Sequence, residues 1–138
     1  MARILDTLFS LEGKTALVTG AGGAIGRVLA KALAESGAKV AIHDFDDERL
    51  ASAKAFIEET GAAVLTFRAD LTDAKACRTL VDDAHAALGR LDILLNSAGT
   101  NRRKPIVEVT PEDFDAIIDV NLRSIYFLSQ AAQPHMAA

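Results

Sequence analysis

The residues of this chain best placed to do chemistry are glycines. In residues 14–26 (KTALVTGAGGAIG) an apolar run, Ala16-Leu17-Val18, gives way to Thr19-Gly20-Ala21-Gly22-Gly23-Ala24-Ile25-Gly26, and a helical pattern starts at once. A strand, a glycine-rich turn and a helix start in that order form a seat for a dinucleotide pyrophosphate. Glycine lets the backbone turn sharply and come close to a ligand where a Cβ would stand in the way. The helix start aims unpaired N–H groups and the positive end of its dipole at the phosphates. Asp44, 18 residues beyond Gly26, ends a second apolar run. A carboxylate there can accept hydrogen bonds from the adenosine ribose hydroxyls, and it repels a 2′-phosphate. No arginine or lysine lies in the turn before Gly26 or directly after Asp44. The expected cofactor is therefore NAD rather than NADP.

Other reactive types read more plainly. Cys77 falls on an apolar helical stripe and reads as a small buried hydrophobe. His43, His85 and His135 are scattered, with no pair at metal-ligand spacing, so no metal site is expected. Asp82 and Asp83 read as a solvated helix face. Tyr126 sits among Ile125, Phe127 and Leu128 and reads as a packing residue. Asn96 and Gly99 follow the fourth apolar run, at the carboxyl end of the sheet, where open α/β folds bind ligands.

The elements that must position these residues alternate. After the glycine turn, Ile25, Leu29, Ala32 and Leu33 form a helical stripe that Gly37 ends as its C′ residue. A second strand covers residues 38–43. Asp46 caps a helix with stripe Leu50, Ala53 and Ile57, closed by Gly61. A third strand, 63–67, leads to Asp70-Leu71. Thr72 is the expected cap of a helix carrying Cys77, Leu80, Val81, Ala84 and Leu88, which Gly89 ends. Residues 91–95 form a fourth strand, apolar enough for burial on both faces. Right-handed crossovers then give an α/β, Rossmann-like, doubly wound parallel sheet with helices on both faces.

The last helix begins at Thr110 (N-cap) and Pro111 (first position), with Asp113 completing a box-like cap. Its stripe is Phe114, Ile117, Ile118, position 121, Ile125 and Leu128, and position 121 is Asn121. A polar amide there either bonds to neighbouring backbone or is kept for chemistry; both readings stand. Because the chain stops soon after this helix, it reads as an incomplete dinucleotide-binding domain over residues 1–138. The fourth strand is then expected to be an unprotected edge.

Composition bounds the function. The chain has 138 residues, half of them hydrophobic and a quarter charged, which suits one soluble globular domain. A formal charge of −4 argues against nucleic acid or an anionic membrane as partner. A single cysteine excludes an intrachain disulfide and fits the cytoplasm. The apolar residues Ile4, Leu5, Leu8, Phe9 and Leu11 are broken by Asp6 and form neither a secretory h-region nor a membrane span.

These motifs together resemble the short-chain dehydrogenase/reductase family over essentially the whole chain. Its loop pattern T-G-x-x-x-G-x-G matches Thr19, Gly20 and Gly26, with Ala24 where the middle glycine usually stands. The extra methyl crowds a cofactor unless Gly22 and Gly23 let the loop shift. Asp70-Leu71 matches the family's acidic pair facing the adenine. Asn96-Ser97-Ala98-Gly99 matches its N-N-A-G, with serine for the second asparagine. Asn121 falls on the asparagine of the Asn-Ser-Tyr-Lys catalytic group. The resemblance implies hydride transfer between NAD and a secondary alcohol or ketone, with tyrosine, lysine and serine handling the proton and the substrate oxygen. Tyr126 is followed four residues later by Gln130, so Y-x-x-x-K is not met, and the chain alone is expected to bind cofactor without turnover.

The segment Gly99-Thr-Asn-Arg102-Arg103-Lys104-Pro105, together with the opening Leu8-Phe-Ser-Leu-Glu-Gly-Lys14, looks like the gluconate 5-dehydrogenase and 2-deoxygluconate 3-dehydrogenase branch. Arg102 and Arg103 either orient a sugar-acid carboxylate or belong to a solvated basic loop or subunit contact. The family also implies a homo-oligomer for the full-length form. The competing reading is a non-catalytic nucleotide-binding or subunit-interaction module.

Overall fold

The computed structural model describes residues 7–137. The expectations for Ile4, Leu5 and Asp6 lie outside the described residues. Four strands, β1 (Thr15–Thr19), β2 (Lys39–Asp44), β3 (Val64–Arg68) and β4 (Ile93–Asn96), pair in parallel in the order β3-β2-β1-β4. The chain steps outward from β1 to β3, then returns to the other side of β1 for β4. That reversal opens a crevice at the carboxyl ends of β1 and β4.

Alternation along the strands divides the core in two. On β1, Leu17 joins Ala41 of β2 beneath α3 (Ala74–Leu88) and α5 (Ser124–Met136), with Cys77, Val81, Leu128 and Ala131 completing the layer. Its neighbour Val18 joins Val40 and Ile42 beneath α1 (Ala24–Glu35) and α2 (Asp47–Glu58), against Ala30, Leu50 and Ile57. The sheet is thus covered on both faces, as a doubly wound architecture requires. No helix among the described residues is long and apolar enough to cross a membrane.

Most local signals operate as read. Asp46 caps α2 by accepting from the Arg49 amide, and Leu50, Ala53 and Ile57 are buried. Gly37, Gly61 and Gly89 all take positive φ where their helices stop. Thr110 and Asp113 form a full capping box on α4 (Pro111–Ile118), with Pro111 in the first turn.

Five expectations need correction. The buried face of α1 is Gly26, Ala30 and Ala34, whereas Ile25, Leu29 and Ala32 are exposed. Small residues four apart let α1 sit close to the sheet behind its glycine turn, and the larger side chains are left on the outside. The cap of α3 is Asp73, which accepts from the Lys75 amide, and Thr72 lies one residue ahead of it with its amide and hydroxyl both donating to Asp70. Strand β4 is only half-buried, since among the described residues no strand pairs with its outer edge. Tyr126 is 64% exposed, its ring T-shaped to that of Phe127, so it is no core packing residue.

The fifth concerns the last helix. Between α4 and α5 the chain makes a π-helical turn, Asp119–Arg123. One extra residue in a turn rotates everything after it, so the stripe drawn through Phe114 and Asn121 breaks. Both residues are exposed, and the buried residues of α5 are Ser124, Leu128, Ala131 and Ala132.

Two substitutions test this packing by urea denaturation. Ile42→Ala empties a fully buried site between β2 and α2 and is expected to cost about 2–5 kcal/mol. Asp73→Ala removes the α3 cap and is expected to cost about 1 kcal/mol.

Candidate functional site

The site begins with a crowding problem at the end of β1. Gly20 has φ +66°, and a Cβ there would lie 2.5 Å from the Ala98 Cα and 2.8 Å from its amide nitrogen. Only glycine lets the turn pass so close to the segment leaving β4. Thr19 tightens the same junction: its Oγ1 accepts from the amides of Ser97 (3.2 Å) and Ala98 (3.3 Å). Two residues on, the Gly22 amide donates to the Asp44 Oδ2 at 3.1 Å, and the second carboxylate oxygen accepts from the Asp46 amide at 3.2 Å. A Cβ at Gly22 would strike both that carboxylate and the Arg49 side chain at 2.6 Å. The carboxylate of β2 and the turn of β1 are therefore in direct contact across adjacent strands.

Helix α1 starts from this turn with Gly23 as its N-cap and no side-chain cap, whereas α2, α3 and α4 each begin on one. Its first amides are consequently open to a ligand. They face a cleft of about 630 Å³. One wall is Gly20, Gly23, Ala24, Ile25 and Gly26. A second wall is His43, Asp44, Phe45 and Arg49; a third is Ala69, Asp70, Leu71 and Thr72. Ser97, Ala98, Gly99, Thr100 and Arg102 close it, with Ala116 and Val120 of the last helical region.

The titratable groups of the cleft differ in state. The Thr72 amide and hydroxyl both donate to the Asp70 Oδ1, at 3.0 and 2.8 Å, and hold its carboxyl below the usual carboxylate range. His43 is buried, and loss of water pushes its imidazole below the usual value despite the Ala69 carbonyl and the Asp44 charge, which both act the other way. The Arg49 guanidinium lies 5.6 Å from the Phe45 ring centroid, a cation–π distance. Arg27 reaches back to donate to the Gly22 carbonyl at 2.8 Å, which braces the turn from the helix side.

Of the residues singled out from sequence, Gly20, Gly23, Ala24, Ile25, Gly26, Asp44, Asp70, Leu71, Ser97, Ala98, Gly99 and Arg102 line this one cleft. Thr19 and Gly22 support it from beneath through the bonds just given. Asn121 is likewise a support: its Oδ1 accepts from the Thr100 amide (2.7 Å) and its Nδ2 donates to the Thr100 carbonyl (2.9 Å). The amide thus bonds to the backbone of Thr100 from an exposed position and not from the core stripe. Asn96 faces elsewhere, lining a groove with Leu94, Ser129 and Gln133, and its Oδ1 is buried without a partner among the described residues. Arg103 is exposed and off the cleft, and Lys104 pairs with Asp113, so one cation of the three, Arg102, reaches the site.

Sequence reading missed His43, Phe45, Arg49 and Thr100 as cleft residues. Arg49 was findable: it lies one turn inside a helix whose cap at Asp46 was already evident. The histidines are also less scattered than their spacing implies, since the His85 and His135 rings stack at 4.0 Å and His135 sits 2.8 Å from the Asp82 Oδ1. Among the described residues no cluster of three or more His, Cys, Asp or Glu is arranged to hold a metal ion.

Residues 14–138 match the family model described as short chain dehydrogenase. Gluconate 5-dehydrogenase of Gluconobacter oxydans (strain 621H) is 40% identical over 129 residues, which are 94% of this chain and 50% of that protein. A short chain dehydrogenase from Burkholderia cenocepacia J2315, solved in complex with NADP, superposes with a TM-score of 0.86 at 42% identity, covering 91% of this chain and 52% of that one. An NAD+-bound xylitol dehydrogenase superposes with a TM-score of 0.85 at 32% identity, covering 91% of this chain and 48% of that one. The chain spans about half the length of the curated relatives it matches. A matching family model over nearly all of its length, on the fold and cleft just described, makes this chain a member of the short-chain dehydrogenase/reductase family.

Proposed function

We propose that this chain is the dinucleotide-binding part of an NAD-dependent oxidoreductase. The complete protein would move a hydride between nicotinamide and a secondary alcohol or ketone, with a sugar acid such as gluconate as its substrate. The observation that carries the reading is the contact between Gly22 and Asp44 at the mouth of an uncapped helix. The residues fit the cofactor on the chain's own geometry. Gly20 and Gly26 let the turn pack against Ala98 and fold back on itself where a Cβ would strike backbone, and the Ala24, Ile25 and Gly26 amides stand ready for a pyrophosphate. The amides of Gly22 and Asp46 fix the Asp44 carboxylate, whose remaining lone pairs are free to accept ribose hydroxyls.

When bound, the cofactor supplies the hydride acceptor or donor. The chain's part is to hold it. Asp70 stays ionised beside its wall of the cleft, Ser97 to Gly99 form the floor, and Asn121 fixes Thr100 at the rim. Arg102, the one cation of its loop on the cleft, is the residue placed to meet a substrate carboxylate. Neither Ser124 nor Ser129 has a base at useful spacing, and Tyr126 lacks a lysine four residues on. The chain by itself therefore binds without turnover. The resemblance to gluconate 5-dehydrogenase supports the sugar-acid substrate, and a homo-oligomer is proposed for the complete protein.

One observation favours a second reading of the cofactor. Arg49 lies on the cleft beside Asp44, so a 2′-phosphate would meet a guanidinium as well as a carboxylate. NADP is then tolerated, with NAD preferred.

Three measurements check these statements. NADH titrated into the chain is expected to show enhanced nicotinamide fluorescence at saturation; no change up to millimolar cofactor counts against the dinucleotide site. Asp44→Ala is expected to weaken NAD about tenfold and narrow its margin over NADP, as loss of a charge-assisted pair of hydrogen bonds implies; equal affinities before and after remove Asp44 from the site. Gly20→Ala forces a Cβ onto the Ala98 backbone and is expected to cost about 1–3 kcal/mol in urea unfolding and to abolish detectable NADH binding.

A further inference from the structure

His43 is a buried ionisable side chain on the cleft that the proposed chemistry does not use. It is 2% exposed, yet both ring nitrogens and the backbone carbonyl have partners in the cofactor turn or in the wall opposite. Its ring Nδ1 lies 3.4 Å from the Gly20 amide nitrogen, and its Nε2 lies 3.1 Å from the Ala69 carbonyl oxygen. Its backbone carbonyl accepts from the Ala21 amide at 2.9 Å. One residue of β2 thus anchors two consecutive amides of the β1 turn and, through the same ring, the residue just before Asp70.

The partners fix the tautomer. A carbonyl oxygen can only accept, so Nε2 carries the hydrogen and donates it to Ala69. An amide N–H can only donate, so Nδ1 must offer its lone pair to Gly20. The ring meets both demands only when neutral. A proton on Nδ1 would set N–H against N–H at Gly20, and either the turn retreats or the ring rotates away from Ala69. The turn has little room to retreat towards β4, because Gly20 already lies against the Ala98 backbone.

We propose that His43 is a positioning residue of the dinucleotide site: its neutral imidazole sets the spacing between the glycine turn and the Asp70 wall, and cofactor affinity falls when the ring takes up a proton. The proposal rests on the dinucleotide reading given above. The charged groups on the surrounding elements are Asp44 beside it on β2, Arg68 ending β3, Asp70 and Asp73 where the chain enters α3, Arg49 across the cleft and Arg123 ahead of α5. Asp44 is the one that acts on the ring, and it favours the charged form. Desolvation by burial is the larger influence and opposes it, so the ring resists protonation in the folded chain. The sign follows. A histidine held below its ordinary value of 6.5 binds fewer protons folded than unfolded, so its contribution is complete above that pH and is lost progressively below it.

The test has two arms on the full 138-residue chain. In the first, 1H–15N spectra without cofactor follow the Gly20 amide as pH is lowered from 8 to 5. The expected result is a Gly20 shift that titrates together with the His43 ring; a Gly20 amide indifferent to that titration overturns the proposal. In the second, calorimetric titration with NAD+ gives the ratio of Kd at pH 5.5 to Kd at pH 7.5. The ratio is expected to rise to at least about twofold in the wild type and to stay near one in His43→Asn. That variant keeps an acceptor near the Nδ1 position but cannot ionise. An equal ratio in the two proteins, or a flat wild type, overturns the proposal. Failure of the wild type to bind NAD+ at pH 7.5 sinks the dinucleotide reading instead, while the Gly20 arm still decides whether the ring controls the turn.

Discussion

The structure depends on one close approach. The turn leaving β1 and the segment leaving β4 run so near each other at Gly20 and Ala98 that no side chain fits between them. The β1–β4 pairing leads directly into this contact, since Thr19 is in register with Asn96, one residue short of the Ser97 and Ala98 amides that its hydroxyl holds. In a doubly wound sheet this is the place where strand order reverses and where the helices diverge. The cleft is the space left by that divergence. Its floor is backbone because the chains have to touch there.

Backbone floors bring an electrostatic consequence. A helix that starts on glycines has no side chain to satisfy its first amides, and α1 is such a helix. Its positive end then faces a cleft that also carries two acids, Asp44 and Asp70. Neither acid caps α1. Asp44 takes the Gly22 amide, ahead of the helix, and Asp70 is occupied by Thr72. The acids are thereby kept off the amides that a phosphate would need. An Asp or Ser at position 23 would cap α1 better and fill the same place. Local helix stability and an open anion seat are thus in competition, and the residues here favour the seat.

How far the sequence discloses this depends on what kind of signal each residue carries. Strand–helix alternation, helix caps at Asp46 and Thr110, and helix stops at Gly37, Gly61 and Gly89 follow from local chemistry, and local chemistry is legible. Much of the cleft lining is legible too, because turns after parallel strands gather at one end of the sheet, although His43, Phe45 and Thr100 escape that signal and Asn96 and Arg103 fall off the cleft. What is not legible is packing decided by close approach. On α1 the hydrophobic stripe points to Ile25 and Leu29, but the contact with the sheet is made by Gly26, Ala30 and Ala34. Burial of large apolar surface normally wins such a contest. Here the position of the helix is dictated by the glycine turn, and only small residues fit under it.

The π-helical turn at Asp119–Arg123 is the second such case, and it bears on Asn121 more than on the fold. With uninterrupted α-helical periodicity, Asn121 falls on the stripe of Ile117, Ile118 and Ile125, where its amide would face the core. The extra residue turns it outward, and both ends of the amide close on the backbone of Thr100. A buried amide without partners would cost on the order of 1–3 kcal/mol, so the two arrangements differ by more than a marginal amount. Wide turns of this kind are rare within helices and recur at functional sites. Nothing in the residue types of 119–123 announces one. The partner of the turned-out amide lies 21 residues earlier, at Thr100, and only the folded chain brings the two together.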